Sequence, residues 1–351
     1  MEKIGKTSKA VKVLFMGIDV HERTYSVSLF FENEELLNTT YPSEVKHLKK
    51  LLERYSGFKV CAVYEAGPFG YTLHDWLEKQ GVEVMVAAPS KMPVLPGERV
   101  KTDKRDARQL ARLLSGGLLR GVTVPDKQKR EDRELLRTRS QMVNQRRRIY
   151  QQIQSRLRMH GMSIRCRLIV TRKNREQILN YPGLGSSLRA AFEYSLDCYD
   201  DYTEKLQRIR RAVLALSTTE NYQRGVKILT GIPGVGVLTA LSFLLELPDM
   251  HKFEDNEKVG SFLGLTCSEH SSGESRHQGR ITRCGNAQMR WLLVQCSWKA
   301  IDGDIVMKKC YERIKRRRGG KRAIVAVARK LAGRMRTVLL KNEAYQVGLV
   351  Q

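Results

Sequence analysis

Short apolar runs bounded by turn residues recur through residues 11–125 and then stop. Residues 13–18 (Val-Leu-Phe-Met-Gly-Ile) and 60–64 (Val-Cys-Ala-Val-Tyr) read as buried strands. Residues 25–31 and 82–88 read as further strands, the first of these half-alternating. Helical patterns at 43–55 and 70–80 lie between them, so this part of the chain is expected to form a mixed α/β layer. Pro89, Pro93 and Pro96 interrupt the pattern before a helix that begins near Thr102. Residues 127–215 lose the strand signal and carry Arg, Gln and Leu at helical spacing. The last part is mainly helical and ends in a helix from about residue 323 to 341. The expected organisation is an α/β domain at 10–126, a long basic helical middle at 127–218 and a mainly helical domain at 219–345.

Charge narrows the partners. Sixty-three Lys and Arg face 37 Asp and Glu, a formal net charge of +26. With 41% hydrophobic residues the chain can bury a core, which sets it apart from charge-swollen disordered segments. No apolar run approaches the roughly 18–20 residues of a membrane span. The opening MEKIGKTSKAVKV has no apolar stretch followed by a small-residue cleavage site, so no signal peptide is expected. Seven scattered cysteines without a Cys-x-x-Cys pair fit reduced thiols in a cytosolic protein. The default partner is a polyanion, because Lys and Arg release counterions when they neutralise phosphates. Residues 135–175 contain twelve basic residues and no acid. A solvated helical face is the plain explanation. An uncompensated stretch of this length points instead to long helices lying along a nucleic-acid backbone, with Arg146, Arg147, Arg148, Arg156 and Arg158 as contacts.

Four acids have positional support. Asp19 directly follows the first buried run and Glu65 directly follows another. Ligands collect at the carboxyl ends of strands in open α/β sheets. Asp103 and Asp106, three apart, share a face at the start of the helix near Thr102, where capping alone would account for Asp103 but not for both. Four hard oxygen donors suit Mg²⁺, and two such ions can activate a nucleophile and stabilise a leaving oxygen.

The order Asp, Glu, Asp-x-x-Asp resembles the ribonuclease-H-like nuclease fold of RuvC-type resolvases. More closely, GIDVHERTYSV, YEAGPFGYTLHDWL and VKTDKRDARQLARLL resemble the amino-terminal domain of the DEDD transposases of the insertion-sequence 110 and 1111 family. That resemblance implies a RuvC-like domain whose metal-site residues are Asp19, Glu65, Asp103 and Asp106.

The carboxy-terminal part carries a second set of motifs. Gly231-Ile-Pro-Gly-Val-Gly236 looks like a helix-hairpin-helix turn, in which Gly234 and Gly236 let backbone N–H groups approach a phosphate; a tight packing turn is the alternative. Downstream, residues 262–273 end in Ser271-Ser272-Gly273, followed by Gly279-Arg-Ile-Thr-Arg-Cys-Gly285 and Asn286-x-x-x-Arg290. Serines beside glycine usually make loops, but Arg276, Arg280, Arg283 and Arg290 surround these with guanidinium groups suited to a phosphate. A serine attacking phosphorus would leave a covalent protein–DNA ester, so strands could be rejoined without ATP. This region resembles the carboxy-terminal transposase domain of the same family, whose nucleophilic serine maps onto Ser272, with Ser271 the close rival. Cys267 and Met289 depart from the family pattern, which has proline and leucine there. A zinc knuckle of Cys267, His270, His277 and Cys284 has the right ligand types without the usual short paired spacings.

By this resemblance the chain is a transposase of a mobile element acting on donor and target double-stranded DNA. The resemblance further implies a composite site contributed by different subunits of a homo-oligomer, and a guide-type non-coding RNA from the element. A water-using, metal-dependent junction nuclease and a non-catalytic nucleic-acid binder are the alternative readings.

Overall fold

The computed structural model describes residues 12–93, 102–164, 170–272 and 275–348, with the backbone alone for Ser90, 270–272 and 275–278. Pro96, Arg165, Cys166, Arg167 and Gly273 lie outside the described residues. The chain divides into two compact units, Met1–Val124 and Pro125–Gln351.

The first unit follows the order β1 (Val13–Val20), β2 (Thr24–Phe31), β3 (Glu34–Pro42), α1 (Val45–Arg54), β4 (Lys59–Glu65), α2 (Thr72–Lys79), β5 (Glu83–Ala87) and α3 (Asp103–Ser115). The strands form one sheet in the order β3-β2-β1-β4-β5. β1, β2 and β3 pair antiparallel, whereas β4 is parallel to both β1 and β5. The parallel joins need crossovers, which α1 and α2 supply. Strand alternation sends Leu14, Met16, Ile18, Ala62 and Tyr64 to one face, where they pack with Leu48 of α1 and Leu77 of α2. Val63 and Ala87 face the other way, onto Leu110 and Leu113 of α3. This mixed sheet with helices on both faces fits the ribonuclease-H-like domain that the resemblance implies.

The four expected strands are present, and β3 is an addition. It is an edge strand with a largely polar sequence, Glu-Glu-Leu-Leu-Asn-Thr-Thr-Tyr-Pro, so no buried face marks it in the sequence. Glu32 and Asn33, at φ 48° and 70°, make the two-residue turn that brings it back along β2.

The second unit begins with two long helices, α4 (Lys127–Met159) and α6 (Ser186–Ser217), joined through the short α5 (Arg172–Leu179). They run antiparallel: Arg146 of α4 reaches Thr203 of α6, and Arg156 reaches Ala191 and Ser195. Ile153 and Leu157 pack with Phe192, Leu196 and Tyr199 between them. α7 (Gln223–Thr230), α8 (Val237–Glu246), α9 (Asn256–Phe262), α10 (Ala287–Gly303), α11 (Ile305–Arg318) and α12 (Gly320–Lys341) complete the unit. They share a core centred on Leu241, Phe243, Leu263, Leu293 and Leu331. The start of α4 is fastened to the end of α8, whose terminal carbonyls lack partners within the helix. Lys129 donates to the Leu247 carbonyl at 2.7 Å, Arg133 to that of Leu245, and Arg137 pairs with Glu246 at 3.3 Å. Cations at a helix C-terminus also meet a favourable dipole.

Between α9 and α10 the expected Gly/Ser loop is instead a β-hairpin, β6 (Cys267–Ser272) and β7 (Ser275–Ile281). No helix among the described residues is long and apolar enough to cross a membrane.

Candidate active site

Asp19 sits near the carboxyl end of β1, level with Ser26 of β2. On the other side Ile18 is level with Tyr64 of β4, so the next pair along the two parallel strands is Asp19 and Glu65. Glu65 shares the α3-facing side of β4 with Val63, by the two-residue period. Gly17 lies on the same side of β1 as Asp19, and it fixes how close α3 can come. A Cβ there would fall 2.1 Å from the Ala107 carbonyl oxygen and 2.5 Å from the Ala111 nitrogen. Only glycine admits this backbone-to-backbone approach. Ala107 and Ala111 continue the helical row that Asp103 heads, so the approach that Gly17 permits delivers Asp103 to the end of β1.

The far side of α3 is held by the β2–β3 hairpin. Arg108 clasps Glu35 with two bonds, of 2.7 and 2.8 Å, and Asn38 donates to both Glu35 and the Lys104 carbonyl. Burial pushes the Glu35 carboxyl up, but hydrogen bonds from Arg108, Asn38 and Ser28 outweigh it and bring the group below its ordinary value.

The result is a group of three potential ligands: Asp19, His21 and Asp103 offer atoms within 4.8 Å of one another. His21 Nε2 stands 3.1 Å from Asp19 and 3.5 Å from Asp103. Burial pushes the Asp19 carboxyl up, His21 pulls it down, and the charges of Asp106 and Asp103 add to the rise. A carboxylate pushed up by burial and by neighbouring acids, as Asp19 is, is what a divalent cation relieves, so these residues fit a metal of the hard, oxygen-preferring kind. Asp106 acts on Asp19 through its charge, and neither Asp106 nor Glu65 belongs to the 4.8 Å group. The sequence reading missed His21, which stands two residues past Asp19 in Asp-Val-His. A second group of ligand types, His74, Asp75 and Glu78, comes from α2 alone.

In the second unit Ser272 ends β6, opposite Ser275, and Ser271 is opposite Arg276. The base of this hairpin is held by a backbone frame. Gly264 and Gly285, at φ 65° and 71°, touch the carbonyls of Cys284 and Phe262 where any Cβ would collide, at 2.3 and 2.2 Å. Arg290 donates to the carbonyls of Leu263, Cys284 and Gly285. Its guanidinium thus holds the two ends of the hairpin segment together. Arg280 and Arg283 are exposed. The Arg276 side chain, and those of His270 and His277 in the zinc reading, lie outside the described residues.

Gly231-Ile-Pro-Gly-Val-Gly236 joins α7 to α8. Gly234 has φ 85°, and its Cα presses on α10, where a Cβ would lie 2.5 Å from the Cys296 carbonyl oxygen. Packing alone therefore requires this glycine. Gly236 is the residue before α8 and has open space around it. On α4, Arg147, Arg148 and Arg158 are exposed, whereas Arg146 and Arg156 lie over the rings of Tyr199 and Phe192 of α6.

The grouping of Asp19, His21 and Asp103 at the strand ends of such a sheet, in a chain with a strongly basic helical unit, fits an enzyme that acts on nucleic-acid phosphodiesters. The comparisons with known proteins agree. Residues 16–161 match the profile of the DEDD transposases of the IS110 type, and residues 226–312 match that described as "Transposase IS116/IS110/IS902 family". The chain is 30% identical to a Sinorhizobium fredii protein named as a transposase, over 84% of this chain and 73% of that one. It is 25% identical to the transposase for insertion sequence element IS1111A of Coxiella burnetii, over 99% and 94%. To the transposase for insertion sequence element IS1533 of Leptospira borgpetersenii it is 28% identical, over 73% and 75%. The chain belongs to the IS110 family of DEDD transposases, and it is a DNA transposase.

Proposed function

We propose that this transposase cuts and rejoins DNA strands by attack of the Ser272 hydroxyl on a phosphodiester, with Asp19, Glu65, Asp103 and Asp106 as the metal-holding residues. Mg²⁺, as two ions, would supply Lewis-acid polarisation of the phosphoryl oxygens there. The Ser272 oxygen forms a bond to phosphorus as the bond to the departing deoxyribose oxygen breaks, and the serine proton passes in net to that departing oxygen, which leaves as a hydroxyl. The ester energy stays in the phosphoserine, so a second strand's hydroxyl can displace Ser272 and reseal the DNA. Arg280 and Arg283, with Arg276, bind the phosphate and stabilise charge developing on it. Arg290 is a positioning residue for the hairpin that carries the serine.

The observation that carries the reading is the convergence of Asp19, His21 and Asp103 where β1 meets α3, with Asp19 pushed up by burial and by its acidic neighbours. The family supports a divalent metal; the choice of Mg²⁺ rests on the hard donor set. Arg147, Arg148 and Arg158 of α4, with the backbone at Gly236, belong to the surface that grips nucleic acid. Arg139 adds to it: burial lowers its proton affinity, the charges of Arg146 and Arg210 lower it further, and it has no partner among the described residues. A guide-type RNA encoded by the element selects the DNA sites by base pairing, while the protein, as a homo-oligomer, reads backbone and shape.

Donor and target DNA of the element test the metal half of this reading. Asp19→Asn, Asp103→Asn and Glu65→Gln should each lower Mg²⁺-dependent cleavage by on the order of a hundredfold while leaving DNA binding in place. Wild-type cleavage by Asp19→Asn contradicts it. Sequencing RNA that co-purifies with the protein tests the guide: a discrete species from DNA flanking the gene supports it, and random cellular RNA refutes it.

A further inference from the structure

Two of the three tryptophans stand exposed on α10, Trp291 at 56% and Trp298 at 44%. Seven residues apart is close to two helical turns, so they share a face, about 10 Å apart along the axis. Trp298 meets Tyr311 of α11 edge to face, with ring centroids 5.8 Å apart. The Lys315 ammonium lies over the Tyr311 ring, 5.7 Å from its centroid. The Tyr311 hydroxyl is 3.2 Å from where a side chain at Gly320 would begin. The aromatic row therefore runs into the basic turn between α11 and α12.

That turn is heavily uncompensated. Between Lys308 and Arg322 there are nine Lys and Arg, all exposed, and one acid, Glu312. Among the described residues none of the nine forms an ion pair. At the other end of the row Trp291 follows Arg290, whose carbonyl partners belong to the segment bearing Arg283.

Large exposed aromatics and unpaired cations select their partner by chemistry. A second copy of this face would set like charges against one another, which is costly. Duplex DNA would satisfy the cations but hides the faces of its bases. An unpaired strand offers both, phosphates for the cations and flat π-faces for the rings. We propose that the α10–α11 face binds a single-stranded stretch of DNA, with bases stacked on Trp291 and Trp298 and the backbone along the 308–322 cations. DNA is the strand chosen because the chain is a DNA transposase, and DNA unpaired at its cut sites would be the source. The proposal rests on the nucleic-acid reading of the second unit.

The full-length protein carries its own reporter, since the third tryptophan, Trp76, is half-buried in the first unit. Titration with an unpaired DNA oligomer should give saturable quenching of tryptophan fluorescence, well beyond that given by a blunt duplex of equal length. In anisotropy titrations, Trp291→Ala and Trp298→Ala should each weaken single-strand binding by roughly 5- to 150-fold. Duplex affinity should stay within about twofold, and Trp298→Phe should restore most of the loss. Equal losses on single strand and duplex, or an RNA oligomer preferred tenfold over DNA, would overturn the proposal. So would an oligomer that dissociates, by light scattering, in the Trp→Ala variants. Duplex binding without single-strand quenching defeats stacking alone; binding of neither defeats the nucleic-acid reading beneath it.

Discussion

A methyl group at position 17 has nowhere to go, because the facing atoms are the backbone of Ala107 and Ala111 and cannot turn aside. Gly17→Ala should destabilise the first unit by about 1–3 kcal/mol, read from its urea midpoint. It should also cost more than tenfold in strand cleavage, because moving α3 moves Asp103 away from Asp19. Asp304 is the corresponding anchor of the second unit. It caps α11 through the N–H groups of Val306 and Met307, and it pairs in the core with Arg334 at 2.7 Å and with the Tyr345 hydroxyl. Burial raises the Asp304 carboxyl, yet Tyr345, the two N–H groups and Arg334 outweigh it and hold it below its ordinary value. A carboxyl lowered on folding stabilises at pH above its unfolded value, near 4, and that stability is lost as pH falls through the folded value. The denaturation midpoint should accordingly drop in acid. Asp304→Asn should cost about 3–5 kcal/mol at neutral pH and flatten that part of the profile. At this scale Asp19 and Glu65 were legible because apolar runs end in them, and Asp103 and Asp106 because they share a face at a helix start. His21 was not, because a search for hard oxygen donors passes over a histidine. Glu35 and Arg108 were hidden by the strand that carries one of them.

At the scale of elements, sequence periodicity found the buried strands and the long helical middle but not β3, an edge strand of which only Leu37 and Tyr41 pack on the core. The β6–β7 hairpin escaped for a related reason: its composition is that of a loop, and a register between two strands is a non-local property. Helix α4 shows what the basic run could not reveal by itself. Its cations divide by face. Arg156 holds α6 through Ala191 and Ser195 and lies over Phe192, while Arg147, Arg148 and Arg158 face solvent. Replacing those three with alanine should leave stability within about 0.5 kcal/mol. It should lower the slope of log affinity against log salt by up to about 0.9 for each phosphate that is no longer neutralised. Arg156→Ala should instead lower the unfolding free energy by roughly 1–3 kcal/mol, measured by chemical denaturation.

For the whole molecule, a net charge of +26 is less a single field than two populations of cations. One is structural: Lys129, Arg133 and Arg137 fasten α4 to α8, Arg290 frames the hairpin and Arg334 sits in the core. The other, on α4 and between Lys308 and Arg322, is exposed and is the part available to nucleic acid. The acids divide in the same manner, with Glu35 and Asp304 holding the fold and Asp19 and Asp103 gathered with His21 at one strand end. The central claim is that the enzyme joins DNA to itself through Ser272 while a metal is bound at the acids. Mass spectrometry of the covalent protein–DNA adduct, trapped in Mg²⁺ and digested to peptides, tests it most directly. The account predicts a nucleotide remnant on Ser272, absent with chelator, with Asp19→Asn and with Ser272→Ala. A remnant on Ser271, or cleavage and joining that proceed normally in Ser272→Ala, would contradict it.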